Sequence, residues 1–149
     1  YLISNSSEYT EFINKYNSNR EYMIEEKIIA EEFTAAIIHE DILPIIKITP
    51  GNIFYDYDAK YKSDLTKFTF PVIDSDTRIL LNNTIRKAYD IIGCSHWGRL
   101  DFFIKNGEIT LLEINTIPGM TDHSLVPKAA KKNGISYYQL ILKILDIND

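Results

Sequence analysis

The chain has 149 residues, of which 45% are hydrophobic and 25% are charged, and this balance excludes a disordered or fibrous protein. A domain of this length can bury roughly 70% of its unfolded surface, so it needs no disulfide or structural metal to fold. The formal net charge is −5 and there is no basic run, which argues against nucleic acid as a partner.

The longest apolar runs hold four or five residues, far fewer than the ~20 that cross a bilayer, and the first residues lack the layout of a signal peptide. We therefore expect a cytoplasmic protein with no membrane partner. Cys94 is the single cysteine, and we interpret its thiol as a small buried apolar group. The sequence opens at Tyr1 in mid-pattern, so we interpret residues 1–149 as one unit within a longer polypeptide.

The first half of the chain is predicted to hold a short helix and strands. Glu8 to Asn17 indicates a polar helix, and Glu21 to Ile28, Glu32 to His39 and Ile42 to Ile48 indicate strands in an antiparallel meander. Thr49 to Phe70 then reads as a loop, in which aromatic residues alternate with charged ones. Loops longer than ~12 to 15 residues are typical of lids or binding loops, so we expect such a function here.

The second half begins with the clearest helical pattern. Apolar residues recur every three or four positions from Asp76 to Ile92, with Ser75 as the candidate N-cap and Gly93 as the stop. Two strands follow, Arg99 to Lys105 and Ile109 to Asn115, joined around Asn106-Gly107.

Two short helices are predicted to complete the chain. The first opens at Pro127 and ends at Gly134. Ser136 and Gln139 then form a capping-box signature for the last helix, whose inner face includes Tyr137 and Leu140. The predicted class is α+β, with a mostly antiparallel sheet and flanking helices.

The predicted hairpin carries four polar side chains: Arg99, Asp101, Glu113 and Asn115. Strand parity puts Glu113 and Asn115 on one face, but the position of Asp101 depends on the turn. A two-residue turn at Asn106-Gly107 would separate the carboxylates, whereas a three-residue loop, Lys105 to Gly107, brings all four side chains to one face. We expect the three-residue loop, because it also collects the apolar residues on the opposite face.

Two carboxylates and an amide oxygen, with no Cys or His at ligand spacing, are typical of a hard-cation site and favour Mg²⁺ over zinc. These residues leave open an alternative, a solvated strand end with a surface Arg–Glu pair. The segment after the hairpin, Thr116 to Leu125, leads into a helix N-terminus. There Gly119 allows close approach to the main chain and Ser124 can help hold a carboxylate or phosphate, although an ordinary Pro-Gly turn remains the alternative.

Three segments resemble the D-alanine–D-alanine ligase family: F-Y-D-Y-D-A-K-Y at 54–61, G-R-L-D-F-F at 98–103 and L-L-E-I-N-T-I-P-G-M-T-D-H-S-L-V-P at 111–127. The resemblance runs from about Glu21 to Ile144 and implies the C-terminal, nucleotide- and metal-binding part of an ATP-grasp fold. It implies that ATP activates one D-alanine as an acyl phosphate, which the amine of a second D-alanine attacks. The product is the dipeptide of peptidoglycan, so the implied role is cell-wall synthesis and maintenance of cell shape.

The resemblance also implies roles for individual residues. Asp101, Glu113 and Asn115 would be the metal ligands and would hold two Mg²⁺ ions, or Mn²⁺ in their place. Lys60 and Arg99 would offset the negative charge of the phosphoryl group. Arg99 and the Gly119 N–H would stabilise the tetrahedral oxyanion, and Ser124 would hold the carboxylate of the second D-alanine. The nucleotide residues would be Glu25, Glu26 and Ile28 near adenine, Glu32 at the ribose, and Phe54 against the adenine ring.

Tyr61 matches the loop tyrosine of family members that make the dipeptide, where makers of the D-lactate ester have phenylalanine. The resemblance therefore implies D-alanine as acceptor and Tyr55 to Tyr61 as a lid that keeps water from the intermediate. It also implies a homodimer and an N-terminal part of the same enzyme, without which this chain should be inactive. The sequence departs from the family at Lys27 and Ala30-Glu31, near the nucleotide hinge.

Two other functions remain open at this stage. One is another ATP-grasp ligase that joins a carboxylate to an amine. The other is a nucleotide-binding or interaction module without catalysis, which the missing N-terminal part makes plausible. The six glycines also never cluster, so the sequence has no Gly-rich phosphate loop.

Overall fold

The computed structural model describes residues 1–16, 19–50 and 66–147, in which helices pack on an antiparallel sheet. The helices are α1 (Ser6–Lys15), α2 (Ser75–Ile92), α3 (Leu125–Lys132) and α4 (Tyr137–Ile144). The strands are β1 (Glu31–Ile38), β2 (Asp41–Ile42), β3 (Ile46–Thr49), β4 (Lys67–Thr69), β5 (Trp97–Lys105) and β6 (Glu108–Asn115). The sheet order is β4-β3-β1-β5-β6, with β2 also paired to β1, and every described pairing is antiparallel. The predicted α+β class is confirmed.

β1 is the central strand, and its residues alternate between two cores. The odd-numbered residues from Phe33 to Ile37 pack against Leu81 and Ile85 of α2. The even-numbered Ala36 and Ile38 belong to a second core built with α3 and α4. Because both faces are covered, β1 is buried from its second residue to its last. Glu32 and Thr34 share the face of Ala36, toward the start of the strand.

Two predicted strands of the first half differ from the structure. Residues 21–29 form no strand, because none of the described strands pairs with them and most of their side chains are exposed. The predicted strand from Ile42 to Ile48 is divided into β2 and β3 around Pro44, which has no N–H for a ladder bond. The predicted loop also ends early, since β4 pairs with β3.

The helix predictions hold, with shifted ends. Asp74, not Ser75, is the N-cap of α2: its side chain accepts a hydrogen bond from the Thr77 N–H, which lowers the pKa of the Asp74 carboxyl. Gly93 ends this helix, as predicted, and its φ of 77° lies in the left-handed region. The predicted polar helix of the first half is also present, as α1.

The two C-terminal helices lie close to their predicted positions. The first starts at Leu125, before Pro127, and the capping box of Ser136 and Gln139 is confirmed. Leu140 is fully buried, whereas Tyr137 of the predicted inner face is half exposed. Within the ranges given above, no helix is long and apolar enough to span a membrane.

The β5–β6 hairpin corrects the predicted loop. Lys105 pairs with Glu108, so the turn contains only Asn106 and Gly107, whose φ angles are 53° and 83°. The prediction of a three-residue loop is therefore wrong, since positive φ at both central residues is typical of a two-residue hairpin turn.

A β-bulge in β6 restores the pairing that brings the polar side chains of the hairpin together. Phe102 pairs with Leu111, but Asp101 pairs with Glu113, so Leu112 is an extra residue on β6. The bulge shifts the pairing by one position and places the side chains of Asp101 and Glu113 on the same face. The predicted convergence is thus confirmed, although a bulge produces it and not the loop.

We predict that Asn106→Ala lowers the free energy of unfolding by about 1 kcal/mol, because a left-handed conformation strains a residue with a Cβ and without a polar side chain to offset it. Asn106→Gly is the matched control and should not destabilise the protein. Denaturant unfolding of the full-length protein measures both. Equal stability of the alanine and glycine variants would contradict the two-residue turn.

Candidate functional site

Four polar side chains meet on one face of the sheet, where β1, β5 and β6 run side by side. The side chains of Arg99 and Asp101 come from β5, and those of Glu113 and Asn115 from the paired residues of β6. Thr34 of β1 lies on the other side of Asp101, in register with it. Three strands therefore supply the cluster, and the bulge at Leu112 fixes its register.

The carboxylate of Asp101 is the centre of this cluster. Its side chain is 2% exposed, and Arg99 donates to both of its oxygens, from Nε to Oδ1 at 2.9 Å and from Nη2 to Oδ2 at 2.7 Å. The Thr34 hydroxyl also donates to Oδ1, at 2.5 Å. A buried charge is costly unless it is paired and hydrogen-bonded, and this carboxylate is both.

Asn115 links the two carboxylates. Its Nδ2 lies 3.4 Å from Asp101 Oδ2 and 3.2 Å from Glu113 Oε1. The three side chains that the sequence predicted to meet are therefore close together, because the Asn115 amide is within hydrogen-bond distance of both carboxylates. A cation would be bound through the amide oxygen, so the amide group has to turn relative to this arrangement for Asn115 to act as a ligand.

The chemistry of these donors fits a hard divalent cation. The cluster combines two carboxylates with an amide and contains neither thiolate nor imidazole, which is the ligand type of Mg²⁺. In the part of the chain that the structure describes, no group of three or more His, Cys, Asp or Glu residues is arranged for a metal. Any cation at this hairpin thus depends on the amide and on ligands from outside the chain, such as phosphate oxygens.

The segment between β6 and α3 forms a folded-back loop. Ser124, the N-cap position of α3, makes no cap bond to the helix, and its Oγ accepts a hydrogen bond from the Thr121 N–H at 3.0 Å. A methyl group on Gly119 would lie only 3.0 Å from this Oγ. Gly119 and the Ser124 hydroxyl are therefore neighbours, as a shared binding role requires.

Two side-chain contacts that the sequence analysis did not predict hold this loop. The Tyr137 hydroxyl donates to the Met120 carbonyl at 2.8 Å, and Lys128 Nζ donates to the His123 carbonyl at 2.7 Å. Partial burial lowers the pKa of the Lys128 ammonium, which also lies 4.5 Å from the centre of the Phe68 ring. No pattern in the sequence indicated these contacts, because they depend on how α3 and α4 pack.

The remaining predicted site residues differ in burial and in distance along the chain from the cluster. Glu32 is 8% exposed on β1, on the same face as Thr34 and Asp101. Glu25 and Glu26 are exposed in the segment before β1, and Ile28 is half-buried there. Three predicted residues lie outside the described residues: Phe54, Lys60 and Tyr61. Thr34 was missed altogether, although its spacing from Glu32 places both side chains on one face.

The antiparallel sheet and its flanking helices have the ATP-grasp fold of the structures described below. Residues 2–146 match the family described as "D-ala D-ala ligase C-terminus". The chain belongs to this family.

Curated and structural relatives agree with this assignment. The D-alanine–D-alanine ligase of Burkholderia multivorans is 48% identical over 118 residues, which is 78% of this chain and 38% of the relative. The Bacillus anthracis D-alanine–D-alanine ligase complexed with ATP is 32% identical, with a TM-score of 0.80 over 97% of this chain and 48% of that one. A D-Ala:D-Ser ligase of Enterococcus faecalis is 31% identical, with a TM-score of 0.67 over 82% and 37% of the two chains. The chain thus spans less than half the length of each.

We predict that Arg99→Met lowers the free energy of unfolding by about 3–5 kcal/mol, because it leaves the buried Asp101 carboxylate without its charged partner. Adding Asp101→Leu should recover part of this loss, because the charge is removed as well. Denaturant unfolding of the full-length protein in EDTA measures both effects.

The exposed pair of Lys47 and Glu31 is the matched control, since the Glu31 side chain is 60% exposed. Lys47→Met should cost no more than about 1 kcal/mol. Two outcomes would show that the Arg99–Asp101 pair does not stabilise the sheet. One is a loss of unfolding free energy for Arg99→Met as small as that for Lys47→Met. The other is a double variant whose loss equals the sum of the losses of Arg99→Met and Asp101→Leu.

Proposed function

We propose that the protein containing this chain is a D-alanine–D-alanine ligase, and that the chain supplies its ATP, metal and second-substrate half. The observation that carries the proposal is the convergence of Asp101, Glu113 and Asn115 beside Arg99, on a fold shared with an ATP-complexed ligase. The reaction activates one D-alanine as an acyl phosphate and joins it to the amine of the second. Its product serves peptidoglycan synthesis and cell shape, in the cytoplasm.

Asp101, Glu113 and Asn115 would hold two Mg²⁺ ions, or Mn²⁺ in their place, against the ATP phosphates. When bound, such ions neutralise phosphate charge and orient the triphosphate. Arg99 adds a fixed positive charge at the same face, held by Asp101. Phosphoryl transfer is catalysed mainly by positioning and charge stabilisation, so a rigid cation-binding cluster with an adjacent guanidinium suits the reaction.

Nucleotide binding is proposed for the residues at and before β1. Glu32 is suited to bind the ribose hydroxyls, because its side chain lies on the same face of the sheet as the cluster. Glu25, Glu26 and Ile28 would meet the adenine from the preceding segment. Phe54 would stack on the adenine ring, and Lys60 would approach the transferred phosphoryl group.

The second D-alanine is proposed to bind at the folded-back loop. Ser124 would hold its carboxylate, while the Gly119 N–H and Arg99 would stabilise the oxyanion that forms on attack. Their proximity supports this role, because the Gly119 main chain and Ser124 Oγ face each other. Tyr61, in a lid from Tyr55 to Tyr61, favours D-alanine as acceptor over D-lactate. The first D-alanine would need the N-terminal part of the enzyme, and a homodimer is the expected assembly.

The proposal predicts that the full-length protein forms D-alanyl-D-alanine from D-alanine and ATP, with release of one phosphate per dipeptide, and that EDTA stops the reaction. Glu113→Gln should lower kcat by about 100-fold or more, because a carboxylate that stabilises phosphate-bound charge is lost. Glu108→Gln, at the exposed far end of the same strand, should leave kcat unchanged.

The acceptor is tested by replacing D-alanine with D-serine or D-lactate. A preference for another amine would indicate a different ATP-grasp ligase, and ATP binding without turnover would indicate a nucleotide-binding module. Either outcome, or an unchanged kcat for Glu113→Gln, contradicts the proposal.

We predict that Gly119→Ala raises the KM for the acceptor D-alanine by about 10-fold or more and leaves the KM for ATP unchanged, because the added methyl displaces the Ser124 hydroxyl. Asp122→Ala, in an exposed position of the same loop, is the control and should change neither constant. Steady-state kinetics of the full-length protein measure both. An unchanged acceptor KM for Gly119→Ala would remove this loop from the acceptor site.

A further inference from the structure

The hydroxyl of Thr34 reaches the carboxylate of Asp101 from the neighbouring strand. Thr34 Oγ1 lies 2.5 Å from Asp101 Oδ1, and both residues are 1% exposed. Thr34 is the Cα partner of Asp101 in the β1–β5 ladder, so their side chains stand next to each other on one face. The contact is therefore part of the sheet and not an incidental surface bond.

The geometry identifies the acceptor of the Thr34 proton. A hydroxyl donates one hydrogen, and the acceptors near Oγ1 are Asp101 Oδ1 at 2.5 Å and the Leu100 carbonyl at 3.3 Å. The shorter contact to an ionised oxygen is the stronger one, so the proton points at Asp101.

This bond acts together with Arg99 to orient the carboxylate. Oδ1 receives Thr34 Oγ1 and Arg99 Nε, whereas Oδ2 receives Arg99 Nη2 and lies toward Asn115 Nδ2. With Oδ1 held from two sides, rotation of the carboxylate is restricted, and Oδ2 is the oxygen presented to Asn115. Outer partners of this kind orient metal ligands and contribute to the affinity for the ion.

We propose that Thr34 is a positioning residue, which holds Asp101 so that its Oδ2 faces the cation. The inference rests on the cation site of the proposed function. Thr34 does not touch the ion or the substrates; it acts through Asp101 and Arg99. Its loss should weaken metal binding with little effect on the fold, because valine fills the same volume and suits a strand.

Mn²⁺ binding to the full-length protein tests the inference directly. Mn²⁺ is titrated in the presence of a non-hydrolysable ATP analogue, and the unbound ion is measured by its electron paramagnetic resonance signal. Thr34→Val should weaken Mn²⁺ binding by about 10-fold or more, and Thr34→Ser, which keeps the hydroxyl, should restore the parent affinity. Ile37→Val, on the other face of β1, is the control for a small loss of buried volume and should not change the affinity.

Kinetics supply a second readout that a purely structural role would not move. For Thr34→Val, the Mg²⁺ concentration at half-maximal rate should rise, and kcat should recover at saturating Mg²⁺. A loss of folded protein would instead lower kcat at every Mg²⁺ concentration. Circular dichroism establishes that the variants fold, and Thr34→Ala replaces Thr34→Val if the latter does not.

Asp101→Asn separates the two levels of the proposal. If this variant loses Mn²⁺ binding while Thr34→Val and Thr34→Ala retain the parent affinity, the positioning role is refuted and the cation site stands. If Asp101→Asn also retains Mn²⁺ binding, the cation site itself is refuted. Equal weakening by Thr34→Ser and Thr34→Val would likewise overturn the role of the hydroxyl.

Discussion

The buried carboxylate of Asp101 constrains this part of the molecule more than any other group. An ionised oxygen pair inside a sheet needs donors, and here they arrive from its own strand through Arg99 and from the central strand through Thr34. The sheet must therefore hold β1, β5 and β6 in one register. A shift of one residue between β1 and β5 would take the carboxylate away from the Thr34 hydroxyl, although Arg99, on the same strand, would move with it.

That register explains why the hairpin contains a bulge. A tight turn at Asn106 and Gly107 suits the twist of two antiparallel strands, but a regular ladder from this turn would set Asp101 opposite Leu112. The extra residue lets the favourable turn and the polar cluster coexist. Bulges are frequent next to functional sites, where they redirect side chains, and this one places Glu113 and Asn115 on the same face as Asp101 and Arg99.

Local signals in the sequence predicted most of the fold. The capping box at Ser136, the stop at Gly93 and the alternating hairpin strands depend on a few neighbouring residues, and the structure has them. The strand predicted from Glu21 to Ile28 failed because a strand also needs a partner, which its own residues cannot reveal. The convergence at Asp101 was predicted through a three-residue loop, which the structure replaces with a two-residue turn and a bulge. Its cause, an irregular ladder, and the role of Thr34 depend on three strands meeting and were invisible to patterns along the chain.

The most direct measurement is a crystal structure of the full-length protein with Mn²⁺ and a non-hydrolysable ATP analogue, with the anomalous signal of the ion used to place it. Our account predicts anomalous peaks in coordination contact with Asp101 Oδ2, Glu113 and the amide oxygen of Asn115, between these side chains and the phosphates. Peaks elsewhere on the sheet, or a triphosphate bound away from the β5–β6 hairpin, would contradict it.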